Sequence, residues 1–232
     1  MVDGRDGVVR DLVLRTLDAA HAAGPDAVAP IVQAGHPVLR AVAVPYDGQV
    51  GAAELTDLLA LMHRTMRAAP GVGLAAPQIG LPLALAVVED PGAGDDEVAR
   101  VRERPVLPYR VLVNPSYAPA GDDLVAFYEG CLSVVGYQAV VPRPRAVHLT
   151  GLDETGTRLD EVLTGWPARI VQHETDHLRG TLYVDRALTR SMSATDAWGA
   201  HWGAEPVPRE AARALGFDLP DTARGGAGEE TP

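Results

Sequence analysis

The sequence contains no lysine, only one cysteine, and no apolar run long enough to cross a membrane. A bilayer-spanning helix needs about 20 consecutive apolar residues, so we expect no membrane insertion. The one cysteine, Cys131, cannot form an internal disulfide, and the chain therefore fits a reducing compartment. All 20 basic residues are arginines, a pattern that reflects coding bias more than chemistry.

Positive charge is also scarce, because 20 basic residues face 31 acidic ones and the net charge is −11. Such an acidic chain is a poor partner for a phosphate backbone, so we do not expect nucleic-acid binding as its main function. The N-terminus carries Asp3, Arg5 and Asp6 where a secretory signal would have a basic region and an apolar core. We therefore expect a cytoplasmic protein.

The length of 232 residues, 47% of them hydrophobic, suits one well-buried domain with extensions. Residues 1–30 are predicted to be an N-terminal helical extension, because apolar residues recur there at helical spacing before a Gly-Pro pair. Residues 31–190 are predicted to form the main domain. Residues 191–232 are predicted to be a partly disordered C-terminal extension, with a turn of helix at 209–216.

Helices and strands follow one another in an informative order. Residues 54–69 form the clearest amphipathic helix, with apolar side chains at i, i+3, i+4 and i+7. Residues 89–104 are charged, contain glycine and proline, and have the composition of a mobile insertion. Short apolar runs predict strands at 83–88, 109–113, 124–128, 137–141, 145–152 and 157–163. Because helices lie mostly at the two ends and short turns join the strands between them, we predict an α+β fold with mostly antiparallel sheets.

The strongest local motif is the H-E-x-x-H sequence that begins at His173, on a helix predicted from Pro167 to Gly180. Residues four apart project from nearly the same face of a helix, so His173 and His177 can bind one metal ion. Glu174 lies about 100° further round the helix, where a carboxylate can act as general base on a water at that metal. A catalytic metal usually has three protein ligands, so one more must come from elsewhere in the chain.

Cys131 is the leading candidate for the third ligand. It lies within Glu129–Ser133 (E-G-C-L-S), at the end of a predicted strand. A thiolate binds divalent transition metals strongly, and an N/S ligand set by itself favours zinc. Without this context a lone cysteine would more often be a small buried apolar residue.

The segment Gly71–Gln78 (G-V-G-L-A-A-P-Q) is a further candidate for function. It lacks the Gly-Lys-Ser/Thr ending of a phosphate-binding loop and follows a helix instead of a strand. Its glycines and alanines indicate a backbone that closely approaches either a ligand or another segment of the chain. The side-chain amide of Gln78 is placed to polarise a carbonyl.

Together the three segments resemble the peptide deformylase family. They occur in the family's order and at compatible separations, and the resemblance extends from about Ile31 to Leu188. The leader, the 89–104 insertion and the tail lie outside it. The resemblance implies mostly antiparallel sheets packed around a central H-E-x-x-H helix. The segments that carry it are Gly71–Gln78, Glu129–Ser133 and Gln172–His177 (Q-H-E-T-D-H).

The resemblance also implies an activity, the hydrolytic removal of formyl from the N-terminal formylmethionine of nascent polypeptides. The implied metal ligands are Cys131, His173 and His177. The implied native metal is Fe2+, with Zn2+, Ni2+ or Co2+ as substitutes.

Three groups are implied as catalytic. Glu174 would take a proton from the attacking water and pass it to the departing amine. The side-chain amide of Gln78 and the backbone N–H of Leu132 would donate hydrogen bonds to the developing oxyanion.

Substrate contacts are expected at four residues. Trp166 and Ile170 precede His173 at helical spacing, so both are candidates for a methionine pocket, although ordinary core positions explain them equally well. In the family, the backbone around Val72 and Gly73 pairs with the substrate peptide as a strand would. Main-chain pairing of this kind reads little sequence.

Two features of the sequence depart from the family pattern. Residues 134–138 lack the proline and arginine that some relatives carry there, which leaves the substrate contacts of this loop open. A transient contact with the ribosome is a further expectation, since some relatives dock there through a basic C-terminal extension. Residues 205–232 contain six acidic and three basic residues, which does not support that mode.

Two other classes of function share some of these features. An H-E-x-x-H metallo-endopeptidase would take a histidine or glutamate as third ligand, usually downstream, and the only downstream histidine is His201. A non-enzymatic binding protein on an inherited scaffold would usually have lost a catalytic residue. None of Gln78, Cys131, Glu174 or the two histidines is lost.

Overall fold

The computed structural model describes residues 4–94 and 97–220. Within these ranges the helices are α1 (Gly4–Ala23), α2 (Ala52–Ala68), α3 (Glu97–Val101), α4 (Gly165–Leu178), α5 (Thr195–His201) and α6 (Arg209–Leu215). The strands are β1 (Gly73–Ala75), β2 (Leu85–Asp90), β3 (Leu107–Pro119), β4 (Leu124–Cys131), β5 (Val134–Pro144), β6 (Ala146–Leu152), β7 (Arg158–Thr164) and β8 (Ser193–Ala194). Short 3-10 helices occur at Pro37–Arg40, Ala76–Ile79, Tyr183–Asp185 and Thr189–Ser191. None of the helices in this part of the chain has the length and hydropathy that a bilayer-crossing segment needs.

The strands form two sheets. One has five strands in the order β1-β2-β3-β6-β7, and the other has three in the order β4-β5-β8. Every pair of neighbouring strands within these sheets is antiparallel. This mixture of helices and antiparallel sheets confirms the predicted α+β class.

Strands β3 and β5 extend well beyond the apolar runs that predicted them at 109–113 and 137–141. Both contain prolines, which usually interrupt strands because they donate no ladder hydrogen bond. The register of β3 against β6 shifts between Val113 and Ser116, and Pro115 lies in that irregularity. A pattern of apolar residues therefore underestimates strands whose prolines lie at a bulge.

Helices α1 and α2 share one hydrophobic core with strands β1 to β3. Helix α2 occupies the predicted amphipathic stretch, and its Leu58 and Met62 are fully buried. Helix α1 contributes Val9, Val13 and Leu17, each no more than 4% exposed. Burial of one such aliphatic side chain contributes roughly 1.5–3 kcal/mol, so these three contacts hold α1 on the core.

Helix α4 carries the H-E-x-x-H motif and packs against β1, β2, β3, β6 and β7. It begins at Gly165, whose φ is +61° and where a Cβ would lie 2.4 Å from the Cβ of Glu103. After its last turn, Gly180 has a φ of +74°, and a Cβ there would lie 2.5 Å from the carbonyl oxygen of Arg40. Both ends therefore require glycine, for conformation as well as for space.

The segment predicted as an insertion at 89–104 is tied to its surroundings in its described part. Arg104 donates two hydrogen bonds, of 2.8 and 3.1 Å, to the carboxylate of Asp90. Arg102 donates to the backbone carbonyl of Glu205 at 3.0 Å. The segment therefore connects the five-stranded sheet with the C-terminal extension.

The C-terminal extension packs on the three-stranded sheet. Strand β8 extends this sheet at β5, and α5 and α6 follow. Trp198 and Trp202 belong to the same apolar cluster as Tyr128 of β4. Helix α6 lies within the stretch 209–216, where the sequence favoured a turn of helix. The sequence predicted partial disorder over 191–232, and the part of that range from residue 221 onward lies outside the described residues.

Candidate active site

Three potential metal ligands come from two elements that are distant in sequence. Cys131 ends β4, and helix α4 presents His173 and His177 one turn apart. The sulfur of Cys131 lies 3.3 Å from Nε2 of His177. One donor atom from each of the three residues lies within 4.8 Å of the other two. The structure thus brings together the three side chains that the sequence indicated as a metal site.

Glu129 orients one of the two histidines. Its Oε2 lies 3.0 Å from Nδ1 of His173, and because a carboxylate only accepts, Nδ1 carries the proton. Although burial opposes ionisation, Arg143 and Arg169 hold the pKa of the Glu129 carboxyl well below its usual range. The ionised carboxylate leaves Nε2 of His173 free for a metal, in the carboxylate–histidine arrangement common at such sites.

A buried ion network extends from Glu129 along α4. Arg143 donates to both carboxylate oxygens of Glu129, at 2.6 and 3.0 Å, and to Asp176 at 2.8 Å. Arg169 also donates to Glu129, and the hydroxyl of Tyr117 donates to Asp176 at 2.9 Å. Removal of one partner from such a network leaves an uncompensated buried charge, which typically costs about 3–5 kcal/mol.

Glu174 is 4% exposed and lies against the glycine-rich segment. A Cβ on Gly73 would lie 2.3 Å from its Oε1, so the close approach that the glycines indicated is an approach to this carboxylate. Its Oε2 has no hydrogen-bond partner among the described residues. Burial raises the pKa of Glu174 to about 7, a value at which a carboxyl can both accept and return a proton near neutrality.

Gln78 lies in the 3-10 helix Ala76–Ile79 and is 2% exposed. Its Oε1 accepts a hydrogen bond from the backbone N–H of Ala75 at 2.8 Å, which fixes the orientation of the amide. Its Nε2 lies 3.6 Å from the sulfur of Cys131 and 3.4 Å from the hydroxyl of Ser133. Both contacts are long, so the N–H groups are available to a stronger acceptor beside the sulfur.

Leu132 directly follows Cys131 and lines the same cleft. Its carbonyl accepts a hydrogen bond from the side-chain amide of Gln33 at 3.0 Å. A Cβ on Gly71 would come within 2.9 Å of the Leu132 side chain, so the two segments pack directly against each other beside the cleft. The backbone of Leu132 therefore lies at the edge of the cleft, next to the sulfur.

The cleft has a volume of about 610 Å³. All four residues predicted to contact substrate line it: Val72, Gly73, Trp166 and Ile170. Trp166 and Ile170 also pack into the apolar core beneath, so the two interpretations offered for them are compatible.

Three arginines surround the indole of Trp166. The guanidinium carbons of Arg104, Arg102 and Arg169 lie 5.4, 5.5 and 5.7 Å from a ring centroid. At this range the cations interact favourably with the aromatic face, and all three arginines line the cleft together with Trp166. Nothing in the sequence around these arginines indicated a role for them.

Other contributing residues were also missed from sequence. Glu129 and Asp176 lie inside the motifs, and a charged residue in an otherwise apolar element is a usable signal for a buried partner. Arg143 offered no such signal, because it falls between two predicted strands. Only the pairing of β4 with β5 places Arg143 near Glu129.

The donor set fits a divalent transition metal. One thiolate and two imidazoles match the ligand number of catalytic sites, which keep a further position for water. In residues 4–94 and 97–220, no other cluster of three or more histidine, cysteine or acidic side chains is arranged to bind an ion in this way. His201, the alternative third ligand, lies exposed on α5 and is not part of the cluster.

Comparison with known sequences gives a consistent result. A sequence model described as polypeptide deformylase matches residues 28–192. Peptide deformylase 3 of Streptomyces avermitilis is 59% identical over 192 residues, which cover 83% of this chain and 85% of that protein. Peptide deformylase 1 of Streptomyces coelicolor is 58% identical over 194 residues, which cover 84% of this chain and 88% of that protein.

Solved structures agree. A class I type b peptide deformylase from Acinetobacter baumannii, with Met-Ala-Ser bound, is 34% identical with a TM-score of 0.61. The match covers 69% of this chain and 99% of that one. A peptide deformylase from Legionella pneumophila is 34% identical with a TM-score of 0.58, over 69% of this chain and 86% of that one. Parts of the present chain therefore lie outside the shared fold.

Proposed function

The chain belongs to the polypeptide deformylase family, and we propose from that premise how its cleft carries out the family's reaction. Its activity is metal-dependent hydrolysis that removes formyl from the N-termini of nascent polypeptides. The main observation behind the proposed mechanism is that one potential ligand atom from each of Cys131, His173 and His177 lies within 4.8 Å of the other two.

The alternative of an H-E-x-x-H endopeptidase is not supported. The similar proteins are peptide deformylases, and the donor that meets the two helix histidines is the sulfur of Cys131. His201 is not part of that group.

The proposed ligands of the metal are the thiolate of Cys131 and the neutral Nε2 atoms of His173 and His177. Glu129 supports this role because it keeps the proton of His173 on Nδ1. When bound, a divalent ion supplies Lewis-acid chemistry, polarising a carbonyl and increasing the acidity of water. Fe2+ is the proposed native metal on the basis of family resemblance, and Zn2+, Ni2+ or Co2+ suit the same donors.

Glu174 is the proposed proton carrier. Its carboxylate accepts a proton from the attacking water and returns it to the amine that leaves the formyl carbon. A pKa raised to about 7 by burial supports both halves of this transfer. Gly73 supports the same role, because any larger residue there would displace the carboxylate.

Gln78 and Leu132 are the proposed oxyanion donors. The Gln78 amide is held by the N–H of Ala75, so its Nε2 needs no reorganisation to donate to charge that develops beside the sulfur. The backbone N–H of Leu132 would donate at the edge of the same opening. Loss of one donor of this kind typically costs about 2.7–4 kcal/mol of transition-state stabilisation.

The substrate is proposed to lie along β1. Among the described strands it lies at the edge of the five-stranded sheet, with β2 as its one neighbour, and Val72 and Gly73 line the cleft. An extended peptide can therefore add to this edge as a further strand. The Acinetobacter baumannii relative binds Met-Ala-Ser, and we place formylmethionine and the residues after it in the corresponding cleft, with the methionine side chain near Trp166 and Ile170.

The proposal includes an arrangement of the whole chain. Residues 31–190 form the catalytic domain, with α4 as its central element, and residues 1–30 and 191–232 are extensions of it. Contacts of α4 with five strands support the central position. The proposed setting is the cytoplasm, with formylated nascent chains as partners and any ribosome contact transient.

A direct test is purification without oxygen, followed by elemental analysis and assay of formyl-Met-Ala and formyl-Met-Ala-Ser. We expect one transition metal per chain, predominantly iron, and release of formate from both peptides. Removal of the metal by a chelator should abolish formate release, and each of the four metals should restore it in part. Metal-loaded protein that releases no formate would contradict the assignment, and cleavage between the amino acids instead would favour the endopeptidase.

A further inference from the structure

The C-terminal extension reaches the substrate cleft. Thr195 and Trp198 of α5 line the cleft together with Gln138 of β5. Thr195 and Trp198 lie beyond residue 192, where the match to the family ends. Part of the cleft is therefore built by a segment outside the residues that the family model matches.

Strand pairing fixes this segment in place. Strand β8 pairs with β5 in a register that sets Ser193 opposite Gln138, and α5 begins two residues later at Thr195. The ring of Trp198 contacts Tyr128 edge-on, with centroids 6.3 Å apart. The start of α5 is thus held beside the strand that carries Gln138 and over the strand that ends at the proposed metal ligand.

The side chain of Gln138 lines the cleft, and its amide has no hydrogen-bond partner among the described residues. A Cβ on Gly130 would lie 2.6 Å from its Nε2 and 2.8 Å from its Oε1, so the amide lies over the backbone directly before Cys131. The amide is half-buried and forms no hydrogen bond with another described residue. Such a group, with a donor and an acceptor both free, can pair with the main chain of a peptide.

Trp198 adds an apolar surface to the same side of the cleft. Its indole is half-buried, with one part packed in the cluster around Tyr128 and another lining the opening. Aromatic and aliphatic side chains gain affinity from contact with a fixed indole. The cleft is continuous from the metal-site residues to this surface, so one peptide can occupy both.

We propose that Gln138, Thr195 and Trp198 form a subsite, the outer wall, for the residues that follow formylmethionine in the substrate. Gln138 pairs with the peptide main chain, and Trp198 contacts an apolar side chain. The outer wall makes the C-terminal extension a determinant of substrate preference, favouring longer peptides with apolar residues after methionine. This proposal rests on the proposed function, because the formyl end must lie at the metal.

The test compares formyl-Met-Ala with formyl-Met-Leu-Phe as substrates of the full-length, metal-loaded enzyme. Trp198→Ala should raise KM for formyl-Met-Leu-Phe by about tenfold, with kcat and the KM for formyl-Met-Ala changed less than about twofold. Trp198→Phe should restore most of the loss. Gln138→Ala should raise the same KM by about 3–10-fold.

Trp202→Ala is the matched control, since Trp202 is also half-buried in the extension and in the same cluster but does not line the cleft. It should leave the ratio of kcat/KM for the two peptides unchanged. The proposed role of the outer wall would be overturned if Trp198→Ala lowered kcat/KM equally for both peptides. It would also be overturned if Trp202→Ala changed the ratio of the two kcat/KM values as much as Trp198→Ala does. If Trp198→Ala does not fold, Gln138→Ala decides by the same ratio. Wild-type enzyme inactive on formyl-Met-Ala would instead refute the proposed function.

Discussion

The two ends of the cleft are built in different ways. At the metal end, buried side chains hold one another: Glu129 pairs with His173 and with Arg143, and Gln78 is fixed by the backbone of Ala75. At the outer wall, Gln138 and Trp198 are half-buried, and the amide of Gln138 has no partner among the described residues.

This difference follows from the cost of burying charge and hydrogen-bonding groups. A buried carboxylate or guanidinium needs partners, so the residues of the metal end depend on one another and substitutions there should be severe. At the outer wall, the amide of Gln138 is half-buried and forms no hydrogen bond with another described residue, so no buried ion or hydrogen-bond network depends on it. Substitutions there should change substrate preference and leave the chemistry intact.

The largest effect is expected from Cys131→Ala. Two imidazoles on one helix do not supply the usual three ligands, so the variant should lose stoichiometric metal and release formate only at background level. Elemental analysis and a formate assay measure both quantities. His201→Ala is the control and should keep metal and activity. Metal retained in Cys131→Ala but lost in His201→Ala would support the endopeptidase arrangement.

Glu174→Gln should keep the metal and lower kcat by about 10²–10⁴-fold, because the amide cannot carry the proton between water and amine. Glu154→Gln, in the turn between β6 and β7, is a control at an exposed glutamate and should be unaffected. A Glu174→Gln variant with a substantial fraction of wild-type turnover would remove this residue as the base.

Gln78→Ala should lower kcat by about 10²–10³-fold while metal content stays normal, because one preorganised oxyanion donor is lost. Steady-state kinetics with formyl-Met-Ala, together with elemental analysis of the same sample, separates this from loss of the ion. Normal turnover in the variant would refute the assignment.

Glu129→Gln should weaken metal binding by about 10–100-fold, since the amide no longer orients His173 through an ionised acceptor. Competition with a chelator of known affinity measures the change. The variant also leaves Arg143 and Arg169 without their carboxylate, so thermal unfolding should shift downward even in the apo protein. Unchanged metal affinity would show that the contact does not position the ligand.

The smallest effect is expected far from the metal, at the exposed ion pair between Arg213 and Glu210 on α6. Both side chains are more than 60% exposed, and Arg213→Ala should lower the free energy of unfolding by less than about 1 kcal/mol. Denaturant unfolding measures this directly. If the free energy of unfolding fell as much as expected for loss of a partner in the buried network around Arg143, buried and exposed ion pairs would not differ in the way proposed here.

Much of the metal site could be predicted from the sequence, because most of its residues lie in short motifs. The spacing of His173 and His177 places them on one helix face, and Cys131 was the only thiol available. The family resemblance supplied roles for Gln78 and Leu132 that spacing alone did not. Strand boundaries were harder to predict, because β3 and β5 contain prolines and the apolar pattern therefore predicted both strands too short.

The supporting residues were not accessible in the same way. Arg143 and Glu129 are neighbours only because β4 and β5 pair, and nothing in the sequence around Arg143 indicates a buried ion. Trp198 and Thr195 were assigned to a loosely defined extension. Their position in the cleft depends on the two-residue strand β8.

The sequence by itself determined which side chains can share a helix face and which chemistry they can perform. Within one helix, the number of residues between two side chains fixes their relative positions. Only the tertiary structure decided that the thiol of Cys131 meets those histidines, that Arg143 compensates Glu129, and that the C-terminal extension lines the cleft. Such contacts form where sheets and helices pack against each other. The residues involved are far apart in the sequence, and no regular spacing between them predicts that they will be in contact.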